Sequence, residues 1–271
     1  MKTVQLMLQS RAASALRLCR AMRLLPCAFT LAFLFSILLA PGCQSKKDEL
    51  GTPEVLVSPY DNLQGDSLWA VAPLRNESAV STVDVLAVSD TLVARAAEIR
   101  GVACLPMNRT LAAMRALGMS AVRSPADART LARALGVDAI IVGAITAWDP
   151  YDPPKLGLTI GLYPAGPAAA TVNPRALAAS PRDATPPPAM LDQPIAVASE
   201  YLDAQNDEVL RNLRRYATGR TTSPSSLGWK SYLASMDLYT DFAAYWSLYR
   251  LLQKEQLRVG RQATADATGS H

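Results

Sequence analysis

The chain has 271 residues, half of them hydrophobic, with 27 basic and 23 acidic side chains and one histidine. That histidine is the terminal His271, which leaves a Ser-His-Asp triad, a Cys-His pair or a His-based metal site without its central group. The formal charge of +4 is misleading, because Lys2, Arg11, Arg17, Arg20 and Arg23 all fall within a first stretch of 42 residues that holds no acid, leaving 22 basic residues against 23 acidic ones. A nearly neutral remainder argues against nucleic-acid binding, which depends on clustered cations.

The first 42 residues read as a secretory leader. A basic region ends at Arg23, and an apolar stretch follows from Leu24 to Ala40, interrupted by Pro26. It is short for a membrane span, which takes about 20 apolar residues. Met1, Met7 and Met22 are all candidate starts, Met22 giving the more ordinary leader. The junction Leu39-Ala40-Pro41-Gly42-Cys43 resembles the lipobox of bacterial lipoproteins, with Ala40 and Pro41 departing from the commonest pattern. The resemblance implies cleavage before Cys43, a diacylglyceryl and acyl anchor on its sulfur and amine, and a periplasm-facing protein held in the cell envelope. Gln44 is compatible with the outer membrane in preference to the inner. Cleavage without lipidation is the alternative. Cys19 and Cys27 leave with the leader, so Cys104 is the one remaining free thiol and no disulfide is expected.

Residues 43–66 are polar and read as a flexible tether, with a short strand around Val55-Leu56-Val57. An α/β domain is expected over 67–164. Leu68 to Leu74 is a compact apolar run that suits a buried strand. Asp84 to Arg100 places Val85, Val88, Leu92, Ala96 and Ile99 on one helical face, ended by Gly101. Val102 to Pro106 is a second strand, and Asn108 is positioned to cap a helix running to Gly118. Ser124-Pro125-Ala126-Asp127 forms a capping box opening a helix that Gly136 closes. Ala139 to Trp148 is apolar on both faces, so both sides of that strand require cover. After the turn at Asp149 to Pro154, Leu156, Leu158, Ile160 and Leu162 alternate with Gly157, Thr159, Gly161 and Tyr163. The expected class is α/β, with α+β as the variant: a small mixed sheet of about four strands with flanking helices.

The strand Ala70-Val-Ala-Pro-Leu-Arg-Asn-Glu-Ser78, the long helix after it and Ala134 to Thr146 (ALGVDAIIVGAIT) resemble a small periplasmic domain. It is the domain of the curli-secretion lipoprotein, of the lipoprotein activators of penicillin-binding proteins, and of the N-terminal part of the Tol-system propeller protein. The resemblance implies a non-enzymatic factor that assembles or regulates envelope machinery, and it transfers no site residues. The Asp-Pro-Tyr-Asp-Pro-Pro turn departs from that group.

Between Asp149 and Ala198 stand 11 of the 19 prolines, so 165–198 reads as a Pro/Ala-rich linker. Two helices are expected over 199–260, one from Ser199 and one from Ser223 to about Arg258, with a disordered tail at 261–271. The second helix holds seven of the 17 aromatic residues. Its stripe of Trp229, Tyr232, Tyr239 and Trp246, with Arg211 and Arg215 nearby, is the candidate surface for an envelope protein or glycan partner; core packing is the competing reading. Asp149 and Asp152 are turn residues first and a carboxylate pair for a hydrolase second. No cofactor or nucleic-acid partner is expected. The leading expectation is a membrane-anchored accessory factor, with an oligomeric export scaffold as the alternative.

Overall fold

A computed structural model describes residues 52–60, 65–166, 193–221 and 227–268. Its elements all belong to one compact unit, Leu50–His271. The leader, Cys43 and most of the Pro/Ala-rich segment lie outside the described residues.

The doubly apolar segment forms strand β4 (Ala139–Asp149), and the sheet is built outward from it. Parallel to β4 on one flank run β1 (Ser67–Val71) and its short continuation β2 (Arg75–Asn76). β3 (Val102–Cys104) pairs parallel to β1 beyond them. On the other flank β5 (Lys155–Pro164) returns antiparallel to β4, and β6 (Ala196–Asp203) adds antiparallel to β5. The sheet is mixed and open, in the order β3-β1-β4-β5-β6 with β2 on β4.

Alternation then assigns each strand residue to a layer. Trp69, Val71, Ala139, Ile141, Ile145 and the four alternating residues of β5 form the larger core. It is covered by α1 (Val85–Ala97) and the later helices, chiefly α6 (Met236–Thr268). Ala70, Ala72 and Ile140 face the opposite way. Against them pack α2 (Met107–Ala116), through Met114, and α3 (Pro125–Leu135), through Ala128, Leu131 and Ala132. Gly143 marks the tightest point of the sheet: a Cβ there would lie 2.3 Å from the Thr159 carbonyl oxygen.

Between β1 and β2 the register moves from Val71↔Ile141 to Arg75↔Ala144, so one extra residue is accommodated in a bulge. Pro73 lies there, where no ladder donor is required. The Leu74 N–H donates to Ser89 Oγ at 3.0 Å, and the Ser89 hydroxyl donates to the Val85 carbonyl at 2.6 Å. A fully buried serine in an apolar helix thus closes the defect in the strand.

Several local readings hold. Ser124 and Asp127 form the capping box of α3, and Gly136 ends it at φ 67° in the left-handed region. Others are corrected. The sheet has six strands rather than about four. Asn108 caps nothing, since α2 starts at Met107 behind Pro106. The helix expected from Ser199 is strand β6, because Ala196, Ala198 and Leu202 point into the core while Val197, Ser199 and Tyr201 point out. The Pro/Ala-rich stretch therefore ends before 196, and the true helix, α4, is Asp207–Ala217. The single last helix is divided into a 3-10 turn (Gly228–Lys230), α5 (Ser231–Ala234) and α6, with extended backbone at Ser235. α6 continues to Thr268, through most of the stretch read as a tail. Residues 52–60, assigned to the tether, are instead partly docked: Leu56 and Tyr60 are buried, and Val57 bridges Arg100.

Replacing Ser89 with alanine leaves the Leu74 N–H buried without an acceptor. The expected loss is about 1–3 kcal/mol, read from the urea unfolding midpoint of the chain lacking residues 1–43; an unchanged midpoint would refute this role for the hydroxyl.

Candidate partner-binding surface

The residues singled out for binding fall on α4 and on the segments after it. α4 begins at Asn206, whose side chain accepts from the Glu208 N–H at 2.8 Å. Asp207 and Glu208 sit in its first turn and Arg214 and Arg215 in its last, which suits the helix dipole. Val209, Leu213, Tyr216 and Ala217 turn inward, so Arg211, Arg214 and Arg215 turn out.

Tyr216 is the hub beneath them. Its ring lies 4.8 Å from Tyr245, 5.6 Å from Tyr232 and 5.7 Å from Phe242. The chain of rings continues from Phe242 to Tyr239 at 5.8 Å and to Trp246 at 6.4 Å, then from Trp246 to Tyr249 at 5.1 Å. Such tilted and edge contacts add to area burial. Tyr239 is fully buried and Tyr232 nearly so. These two are corrected from a docking stripe to core: the neighbouring helix α4 and strand β6 occupy the face that a partner would have used. Trp229 and Trp246 are half-buried.

Arginine covers the outer edges of these rings. The Arg214 guanidinium stands 4.4 Å over Trp229, and that of Arg220 stands 4.4 Å over Tyr216 and 5.0 Å over Tyr245. Arg215 pairs with Glu54 at 2.9 Å, and Arg220 donates to the Glu54 carbonyl at 2.9 Å. Trp246 Nε1 donates to Glu200 at 3.3 Å, and Arg250 donates to the same carboxylate at 3.2 Å. The part of the predicted surface still facing outward is therefore Arg211 and Arg215, with the open sides of Trp229 and Trp246.

Sequence reasoning missed the clamp that fastens residues 54–60 to this region. The Tyr60 hydroxyl donates to Glu255 at 2.7 Å, and Arg258 closes on the same carboxylate from one turn later in α6. The Glu255 side chain is fully buried and that of Arg258 is 15% exposed. Burial and the Glu255 charge push the Tyr60 phenol well above its ordinary value. Backbone bonds between Ser58 and Arg100 and between Arg100 and Leu56, both 2.9 Å, complete the strap. The signal was not readable locally, since Tyr60 and Glu255 are 195 residues apart.

Other candidates are placed as structural groups. Cys104 is half-buried, with its thiol pushed up to about 12 by desolvation. Asp149 accepts from the Tyr151 N–H at 3.2 Å, as a turn residue does. Among the described residues no group of three His, Cys, Asp or Glu side chains could hold a metal. None of the described helices is long and apolar enough to cross a membrane. Cys43 lies outside the described residues.

No known family and no curated protein matches the chain. Among solved structures it is similar to the C-terminal domain of LpoB from Salmonella enterica at 18% identity, over 38% of this chain and 78% of that one, with a TM-score of 0.32. It is similar to lipoprotein GNA1162 from Neisseria meningitidis at 16% identity, over 52% and 86%, with a TM-score of 0.32. A PelC dodecamer subunit from Paraburkholderia phytofirmans matches at 16% identity over 42% and 67%, with a TM-score of 0.25. Likeness of this size carries no argument about partners, and the functional reading rests on the chain's own residues.

Glu255 is the fully buried carboxylate that the Tyr60 hydroxyl and Arg258 share. Glu255→Ala is expected to cost about 3–5 kcal/mol, and Tyr60→Phe about 1 kcal/mol, in denaturant unfolding; equal losses would show that the ion pair is not the centre of the clamp. A second expectation concerns alkaline pH. Burial pushes Tyr216 and Tyr245 up to about 12 from an ordinary 10.0, and Tyr60, Tyr232 and Tyr239 are raised as well. The unfolded chain therefore loses phenolic protons first, so this stability is complete below pH 10 and falls as pH climbs from 10 towards 12. Tyrosinate absorbance should rise together with loss of circular dichroism; ionisation near pH 10 with the dichroism intact would contradict the burial of these rings.

Proposed function

We propose that this chain is an envelope lipoprotein, anchored through acylated Cys43, whose α/β domain serves as a non-enzymatic accessory factor by binding another envelope component. The observation that carries the reading is the leader: five cations, an apolar stretch from Leu24 to Ala40 and a small residue directly before Cys43. Two acyl chains would make attachment effectively permanent, whereas one gives only reversible binding. The docked strap adds a mechanical consequence. Because Glu54 is already held by Arg215 and Arg220, Cys43 is separated from that contact by Gln44 to Pro53, ten residues that can span at most about 35 Å. The domain is thus kept close to the bilayer. The outward surface at Arg211, Arg215, Trp229 and Trp246 is the proposed contact for a protein or glycan partner, since Trp and Arg are the residues that most often anchor interfaces.

Metabolic labelling with an alkyne fatty acid is expected to mark the wild-type chain and not Cys43→Ala, which should also move from the membrane to the soluble fraction. A labelled Cys43→Ala, or an unlabelled wild type, would overturn the anchor.

A further inference from the structure

The near-zero charge of the chain after residue 42 conceals a strong polarisation. Between Met107 and Leu135 stand Arg109, Arg115, Arg123, Arg129 and Arg133 against one carboxylate, Asp127, while the rest of residues 43–271 holds 17 basic and 22 acidic side chains. Asp127 is committed to the α3 capping box, accepting from the N–H groups of Arg123 and Ser124 at 3.0 Å each. Both helices turn their apolar sides to the sheet: Met107, Thr110 and Met114 of α2, and Ala128, Leu131 and Ala132 of α3. Their opposite side therefore presents Arg109, Arg115 and Arg133 to solvent, with Arg123 exposed in the loop between the helices and Arg129 half-buried. Ala112, Ala116 and Leu117 are exposed on the same layer, whose one carboxylate is the capping Asp127.

Among the described residues no carboxylate forms an ion pair with Arg109, Arg115, Arg123 or Arg133. The arginines in and just after α4 differ. Arg214 is stacked on Trp229, Arg215 is paired with Glu54, and Arg220 is stacked and bonded as well. The two basic segments look alike as sequence, but in the second three of four arginines, all except Arg211, are engaged by rings or by Glu54.

From this layer we infer that the outer face of α2 and α3 is a docking surface for anionic phospholipid headgroups, and that it orients the domain on the bilayer that holds it. The inference deepens the anchored reading above. A tether of about 35 Å is comparable with the roughly 40 Å breadth of a domain of this size, so the domain can turn on its anchor and its orientation is set by the face whose interaction is strongest. Tethering holds the headgroups at high effective concentration, so contacts too weak to recruit a free protein still set its orientation. Arginine suits the task, since its planar fork meets phosphate oxygens in pairs. The small side chains between the arginines let the helices approach the headgroup plane closely.

The test uses the mature chain carrying Cys43→Ser, which has no anchor, so it is independent of whether Cys43 is acylated. Co-sedimentation with vesicles of phosphatidylglycerol and phosphatidylcholine is expected to be at least tenfold stronger than with phosphatidylcholine alone, and to be lost at 0.5 M salt. The double variant Arg109→Ser/Arg115→Ser is expected to reduce the binding about tenfold or more. Lys254→Ser/Arg261→Ser, which removes two exposed cations from α6, should leave it unchanged. Equal binding to both vesicle types, binding insensitive to salt, or equal loss in the two variants would each overturn the proposal. No vesicle binding at all would overturn it too, and would point to an acidic protein as the counterpart of this face. Circular dichroism of each variant separates loss of the surface from loss of the fold.

Discussion

Strand β4 has to be buried on both sides, and the rest of the architecture follows from that requirement. Ile140 and Ile141 point to opposite faces and both are fully buried. One helical layer satisfies one of them and a different layer the other. The hand-over from parallel pairing with β1 to antiparallel pairing with β5 also occurs at β4, so the helices fall into two groups with separate cores.

The two helical layers carry different chemistry. The layer of α1, α4 and α6 is aromatic, and Arg214, Arg215, Arg220 and Arg250 on it are engaged by rings, Glu54 and Glu200. It is also where the chain is clamped at its N-terminal side through Tyr60, Glu255 and Arg258. A buried charge pair of this kind is weak evidence for stability but strong evidence for a defined arrangement, because either partner alone would be costly. The layer of α2 and α3 is built from alanine, leucine and arginine, with its one carboxylate used as a cap. Its Arg109, Arg115 and Arg133 form no ion pair among the described residues.

These properties fit one picture of an anchored domain. On the proposed reading, ten residues join Cys43 to the contact at Glu54, and the basic layer of α2 and α3 is the face offered to the headgroups. The picture assigns a use to the polarised charge and to the open edges of Trp229 and Trp246, neither of which the packing of the core requires.

The amino-acid sequence by itself determined whatever depends on near neighbours. The capping box at Ser124, the left-handed stop at Gly136, the doubly apolar β4 and the alternating β5 were legible because cap, turn and pleat act over a few residues. Strand β6 was misread because Leu202, Val209, Leu213 and Tyr216 have helical spacing across what is really a strand, a turn and a helix. Only pairing with β5 reveals the two-residue period. The candidate surface was legible in residue type and not in exposure: nothing local distinguishes Tyr239, fully buried, from Trp246, which keeps an open side. Likewise Arg109 and Arg115 of α2 and Arg214 and Arg215 of α4 look alike in the sequence, and their different availability depends on Glu54 and Trp229 arriving from elsewhere in the chain. Burial and charge compensation are sums over partners distant in sequence, so the tertiary structure alone decided them.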